Sequence, residues 1–171
     1  MDTTGSMGPW IEACKKQLKD IISQIKLKFE YIAIRVGFIG YKDHCDPGNL
    51  DKNSIFQFNS NIDIAVNFIS KQTASGGGDE PEDIAGALEE ACKFDWVAKA
   101  RYAILVADAP CHGKKYHNCH DSYPDGDPKK RVPENYIKIL AEYGVNLFAI
   151  EINKGTHKMM EIFSEAYKKV M

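Results

Sequence analysis

The second residue of the chain opens the run Asp2-Thr3-Thr4-Gly5-Ser6, with side-chain oxygens at Asp2, Thr4 and Ser6. In extended chain alternate side chains point the same way, so these three face one point just ahead of a helix. Two further acidic residues stand where elements give way to loops. Asp79 closes the run Gly76-Gly77-Gly78 before a second helix, and Asp108 ends the apolar stretch 103–107. Three loops thus offer hard oxygen donors and no soft ones, which suits Mg²⁺, Mn²⁺ or Ca²⁺ rather than zinc. Each residue also has a plainer reading. Ser6 can cap the first helix, Asp79 and Glu82 form a capping-box-like pair, and Asp108 can hydrogen-bond the loop that follows it.

A second group carries softer donors. Cys111, His112, His117, Cys119 and His120 crowd one loop. Their spacing is not a standard zinc-finger pattern. The loop is either a polar surface segment with a few buried anchors or a structural Zn²⁺ clip beside the oxygen site. His44 and Cys45 lie in another loop, and His157 near a helix start is expected to be exposed.

Alternating elements must position these residues. Ile11, Cys14, Leu18, Ile21, Ile22 and Ile25 recur at steps of three and four behind Pro9, giving an amphipathic helix. Residues 31–41 read as a strand, with Ile32, Ile34, Val36 and Phe38 alternating. Asp46-Pro47-Gly48 is a turn, 54–58 a short second strand and 62–69 a short helix. Residues 81–96 restart a helix after the glycine-rich break, and 103–107 read as a strand covered on both faces. After the polar loop 109–131, Pro133 opens a helix that Gly144 stops; strand 145–152 and helix 157–170 follow. This alternation is α/β with a mostly parallel central sheet and helices on both faces, in which ligands bind at the carboxyl ends of strands.

Composition bounds the function. The 171 residues fit one domain, and 44% apolar with 27% charged residues is ordinary for a globular chain. A net charge of −2 gives no general attraction for nucleic acid or an acidic membrane, and Lys129, Lys130 and Arg131 read as a solvated loop. No stretch approaches the roughly 20 apolar residues of a membrane helix, and no secretory signal opens the chain. The five cysteines are odd in number, and Cys14 and Cys92 fall on apolar helix faces. That points to a reducing, cytoplasmic compartment.

Asp2-Thr3-Thr4-Gly5-Ser6-Met7 resembles the first motif, Asp-x-Ser/Thr-x-Ser, of von Willebrand factor type A domains. Residues 76–83 resemble the second loop of that family, and Ile104 to Asp108 its third strand and aspartate. Ala109-Pro110-Cys111-His112-Gly113, with Tyr123-Pro124 and Gly126-Asp127-Pro128, is similar to the subgroup found with alpha-kinase domains. The resemblance covers residues 1–171 and implies a Rossmann-like sheet bearing a metal-ion-dependent adhesion site, in a domain that is not an enzyme. It implies that Thr4 and Ser6 ligate Mg²⁺ (or Mn²⁺) directly, that Asp2 and Asp108 hold it, often through water, and that a protein partner supplies a carboxylate. The parent would be a larger intracellular protein, and no kinase activity carries over. This chain departs from the pattern in two ways. Asp79 stands where most members have threonine, adding a third carboxylate. The strand that normally leads into Asp2 is expected to be missing, so the domain reads as a fragment.

The opening run is also similar to the Asp-Lys-Thr-Gly-Thr motif of aspartyl-phosphate enzymes, which would make Asp2 the nucleophile of a Mg²⁺-dependent phosphohydrolase. That family needs a later lysine and a paired-aspartate loop. Asp125-Gly126-Asp127-Pro128 does not follow a predicted strand, and Asp108 has no adjacent second aspartate. A third possibility is a degenerate site on a domain that acts only as a scaffold.

Overall fold

A computed structural model describes every residue of the chain except Glu30. A 3₁₀ turn at Gly5–Met7 leads into α1 (Gly8–Lys28), then β1 (Val36–Ile39), β2 (Ile55–Asn59) and α2 (Ile62–Ser70). The second half holds α3 (Ile84–Cys92), β3 (Tyr102–Ala107), α4 (Pro133–Glu142), β4 (Asn146–Glu151), a 3₁₀ turn at Lys154–Thr156 and α5 (His157–Lys168).

The class is α/β, as the alternation implies, but the strands form two separate pairs. β1 and β2 pair antiparallel, with Phe38 opposite Phe56, and β3 and β4 pair parallel from Tyr102↔Asn146 to Ala107↔Glu151. Asp2 links the two pairs through its backbone, and the Tyr41 hydroxyl also reaches Val106 O of β3. Asp2 forms a parallel bridge with Tyr41 just past β1, and its N–H donates to Val106 O of β3 at 3.0 Å. Beyond that bridge, the facing edges of β1 and β3 have no ladder partner among the described residues.

The same break explains two local departures. The alternation at 31–41 becomes strand only at Val36–Ile39, with Tyr31 94% exposed, because the residues ahead of β1 have no neighbouring strand to pair with. β3 is covered on both faces only towards its end, where Leu105, Val106 and Ala107 are all buried. Leu105 and Ala107 pack with Ile84, Leu88, Ile137, Leu140, Met159 and Phe163 of α3, α4 and α5. On the other face Tyr102, Ile104, Phe148 and Ile150 are 45–62% exposed. α2 instead packs against β1 and β2, and α1 packs against α2.

Locally encoded elements fall where the periodicity puts them. α4 begins at Pro133 and Gly144 follows with φ 67°, the left-handed conformation that ends a helix without a Cβ penalty. The start of α3 differs from expectation. The helix opens at Ile84, capped by Asp83, whose side chain accepts from Gly86 N at 2.8 Å. Residues 79–82 are therefore free for the site. Glu82 bridges Cys111 in parallel, and its N–H donates to Pro110 O at 2.9 Å. Ser6 does not cap α1; it lies inside the 3₁₀ turn.

Candidate metal centre

The three loops converge on one cavity of about 300 Å³ at the carboxyl end of β3, lined by Thr4, Ser6, Asp79, Glu82 and Asp108 among others. The loops are tied by backbone. Gly5 N donates to Gly76 O at 3.0 Å, and Ser75 N donates to Thr3 O at 3.0 Å. Gly76 and Gly77 have φ of 85° and 100°, and a Cβ on Gly76 would run into the Asp46 carboxylate. Asp46 in turn accepts from Gly77 N at 2.8 Å. The glycine run is therefore a requirement of the turn that carries Asp79 past Thr4.

Asp2 is fully buried beneath the cavity. Its Oδ1 accepts from Thr4 N at 2.8 Å and from the Thr4 hydroxyl at 2.7 Å, and Thr4 Oγ1 lies 3.2 Å from Ser6 Oγ. The alternate-residue spacing thus brings the three oxygens together, through a turn rather than through a strand. Four carboxylate oxygens are buried without a hydrogen-bond partner among the described residues: Asp2 Oδ2, Asp79 Oδ1, Glu82 Oε2 and Asp108 Oδ1. Each would cost about 1–3 kcal/mol or more if left unsatisfied.

The electrostatics tell the same story. Burial lifts the Asp2 carboxyl from 3.8 to about 7, with Asp108 adding to the rise and the Thr4 hydrogen bonds opposing it. Burial, helped by Asp2, Asp43, Asp46 and Asp108, lifts Glu82 from 4.5 to about 10. Several acids crowded in a poor dielectric must either hold protons or share a cation.

Of the five residues nominated from the sequence, Thr4, Ser6, Asp79 and Asp108 line this cavity, and Asp2 is hydrogen-bonded to Thr4. Glu82 was missed. It looked like the far half of a helix cap, and only its bridge to Cys111 turns it inward. The count of carboxylates following the glycine run was the available signal. Asp79 is partly spoken for, since its Oδ2 accepts from Ser122 N.

The Cys/His loop does not close on itself. Cys111 is 1% exposed in the core, and its N–H meets Met159 Sδ at 3.2 Å. His112 and His117 converge instead on Asp121, which the sequence reading passed over. His112 Nδ1 is 2.7 Å from Asp121 Oδ1, and His117 Nε2 is 3.1 Å from Asp121 Oδ2. Cys119 Sγ lies 3.1 Å from His117 Nδ1. Two sets of side chains bring donor atoms within 4.8 Å of one another: Asp43, Asp79 and His112, and His44, Asp83 and Asp127.

Arg131 corrects the expectation of a solvated basic run. Its guanidinium is 7% exposed and lies 2.6 Å from Asp83 Oδ1 and 2.7 Å from Asp127 Oδ1. His44 joins them, 3.0 Å from Asp127 and 3.4 Å from Asp83. His157 is exposed, as expected, with its side chain 65% accessible.

Comparison with known proteins places the chain beside a kinase-bearing one. It is 36% identical over 172 residues to the alpha-protein kinase vwkA of Dictyostelium discoideum. It resembles one segment of that protein. The alignment takes in 99% of this chain and 27% of the kinase, so the chain spans about a quarter of its relative. It is also 32% identical over 123 residues to the putative ariadne-like RING finger protein R811 of Acanthamoeba polyphaga mimivirus, 72% of this chain and 12% of that protein. No protein-family model matches the chain.

Proposed function

We propose that residues 1–171 are a von Willebrand factor type A-like domain that binds a protein partner through a Mg²⁺-type cation, within a larger, alpha-kinase-type protein. One observation carries the reading: three residues with a buried, unpartnered carboxylate oxygen, Asp79, Glu82 and Asp108, line a single cavity with the hydroxyl residues Thr4 and Ser6, and a fourth, Asp2, is hydrogen-bonded to Thr4. Such a set must hold protons or share a cation, and it is built from hard donors only. Thr4 and Ser6 would hold the ion with Asp2 and Asp108, while Asp79 and Glu82 add charge from the opposite wall. The bound cation would supply an open position for a carboxylate oxygen of the partner.

The finer fold belongs to the same proposal. Asp2 bonds to both sides and would make the two pairs parts of one mostly parallel central sheet. The domain acts as a binding module. The phosphohydrolase alternative needs a lysine at Asp2, and the described residues lining the cavity include neither lysine nor arginine. A cytoplasmic setting suits the cysteines, all five of which are free thiols. Among the described residues no helix is long and apolar enough to cross a membrane.

Calorimetric titration of Mg²⁺ and Mn²⁺ into the chain, beside Asp108→Ala and Asp79→Thr, tests the reading. The parent is expected to bind one ion, and Asp108→Ala to lose at least about tenfold in affinity. Asp79→Thr removes a charge from the wall, so it should weaken the metal and strengthen capture of an acidic partner. A folded parent that binds no ion rejects the adhesion site and favours a scaffold. Unchanged affinity in Asp79→Thr removes the charge argument alone.

A further inference from the structure

We infer that the chain carries a second metal site, for Zn²⁺, on Asp43, Asp79 and His112, beside the cavity and sharing Asp79 with its wall. The donors come from three separate loops. One ligand atom of each residue lies within 4.8 Å of the others. Donors each about 2.1 Å from one ion sit at most about 4.2 Å apart, so the three need only close slightly. His112 Nε2 and Asp43 Oδ1 are already 3.1 Å apart.

The imidazole is prepared for this role. Its other nitrogen, Nδ1, meets Asp121 Oδ1 at 2.7 Å, and Asp121 is held by N–H donors from Gly113 at 2.6 Å and Tyr123 at 2.7 Å. A carboxylate behind a ligating histidine fixes its tautomer, presenting Nε2 as the lone-pair donor. Both rings' surroundings are dry: the His112 side chain is 1% exposed, Asp121 1% and Asp43 5%. With Nδ1–H directed at Asp121, a cation in place of a second ring proton would bridge Nε2 and the Asp43 carboxylate. The third member, Asp79, has one oxygen, Oδ1, buried without a hydrogen-bond partner among the described residues, while Oδ2 accepts from Ser122 N.

One imidazole with two carboxylates suits a borderline transition ion better than Mg²⁺, and three protein ligands leave a fourth position for water. Space is tight on the remaining side. A Cβ on Gly78 would stand 2.6 Å from Asp43 Oδ2 and 2.7 Å from Cys45 Sγ. The other candidate set, His44 with Asp83 and Asp127, is already neutralised by Arg131, whose charge would repel an ion there. In this arrangement Zn²⁺ clips the 43–46 loop to the loops bearing Asp79 and His112, fixing two walls of the neighbouring cavity.

The test uses the full chain, stripped by chelation and kept in excess Mg²⁺. Zn²⁺ is titrated calorimetrically and Co²⁺ by visible absorption. One equivalent is expected, with a tetrahedral Co²⁺ spectrum. Asp79→Asn and His112→Gln should weaken binding by about 10- to 100-fold. Asp79 is only half-buried, so that variant keeps the test sound if His112→Gln fails to fold. Asp108→Ala should bind Zn²⁺ as the parent does, which separates this site from the proposed Mg²⁺ cavity. Absence of stoichiometric uptake by the folded parent overturns the inference. So does uptake that survives Asp79→Asn but is lost in Cys119→Ser, or in Asp108→Ala, since the ion would then lie elsewhere.

Discussion

The metal-free chain is expected to lose stability as the pH rises from about 5 to 7, and to recover it when Mg²⁺ is added. Asp2 and Glu82 have folded values of about 7 and about 10, raised from 3.8 and 4.5 chiefly by burial. Between the unfolded and folded values the native state holds more protons than the unfolded chain, so stability falls with rising pH. Each excess proton contributes about 1.4 kcal/mol per pH unit. Below about pH 4 the trend reverses, because Asp43, Asp121 and Asp127 are held below the ordinary carboxylate value by their hydrogen bonds and cationic neighbours and lose that stabilisation on protonation. Two groups oppose the fall at neutral pH. Burial lowers the Met1 amino group to about 6 and also lowers His44, so the unfolded chain binds those protons more tightly. Comparison with Glu82→Gln cancels both, since that variant keeps Met1 and His44 and removes one raised carboxyl. Urea melts at several pH values should give a clearly flatter profile for Glu82→Gln than for the parent. Mg²⁺ must expel the same protons, so its binding enthalpy near pH 6.5 should vary with the ionisation enthalpy of the buffer. Parallel profiles for parent and variant, or a buffer-independent enthalpy, would show that these acids do not share the cation.

What the sequence made legible follows from the range of the interactions involved. α2, α4 and α5 are written in helical periodicity and in local stop signals such as Pro133 and Gly144, all within a few residues. The nominated oxygens were legible because their chemistry sits in short runs at element ends. Glu82, Asp121 and Arg131 were not. Their roles come from partners far along the chain, such as Cys111 for Glu82 and Asp83 for Arg131, 48 residues away. No periodicity records such a pairing. The strand at 31–41 was over-read for a related reason. Alternation states that a segment could be half-buried in a sheet, whereas the ladder at 36–39 depends on what lies alongside. Asp79 and Glu82 were read as a cap because cap and ligand use the same side chains at a helix start. Asp83 is the residue whose oxygen reaches Gly86 N.

Arg131→Met is expected to destabilise the chain by about 3–5 kcal/mol, the usual cost of leaving a buried charge without its partner. For a domain of this size that lowers the melting temperature by roughly 10 °C. The guanidinium answers two carboxylates at once. Asp83 has a fully buried side chain and Asp127 one that is 4% exposed. Asp127 Oδ2 also receives Arg131 N at 3.1 Å and Nε at 3.0 Å. The fold leaves room for this fork: a Cβ on Gly86 of α3 would run into the Arg131 guanidinium. Arg131→Lys should recover little, because a single ammonium cannot reproduce planar contacts to two acids. Adding Asp127→Asn to Arg131→Met should restore part of the loss by removing one orphaned charge. The effect reaches the cavity through the chain itself. Asp83 caps α3 and its N–H donates to Lys42 O at 3.0 Å, while the preceding residue, Glu82, faces the candidate metal centre. Loosening Asp83 should therefore weaken Mg²⁺ binding in Arg131→Met although Arg131 does not line the cavity. Thermal melts with and without Mg²⁺ separate the two effects. A loss below about 1 kcal/mol would place the pair in the range of exposed ion pairs, and unchanged Mg²⁺ affinity would mean that the Glu82 wall is held by its bridge to Cys111 alone.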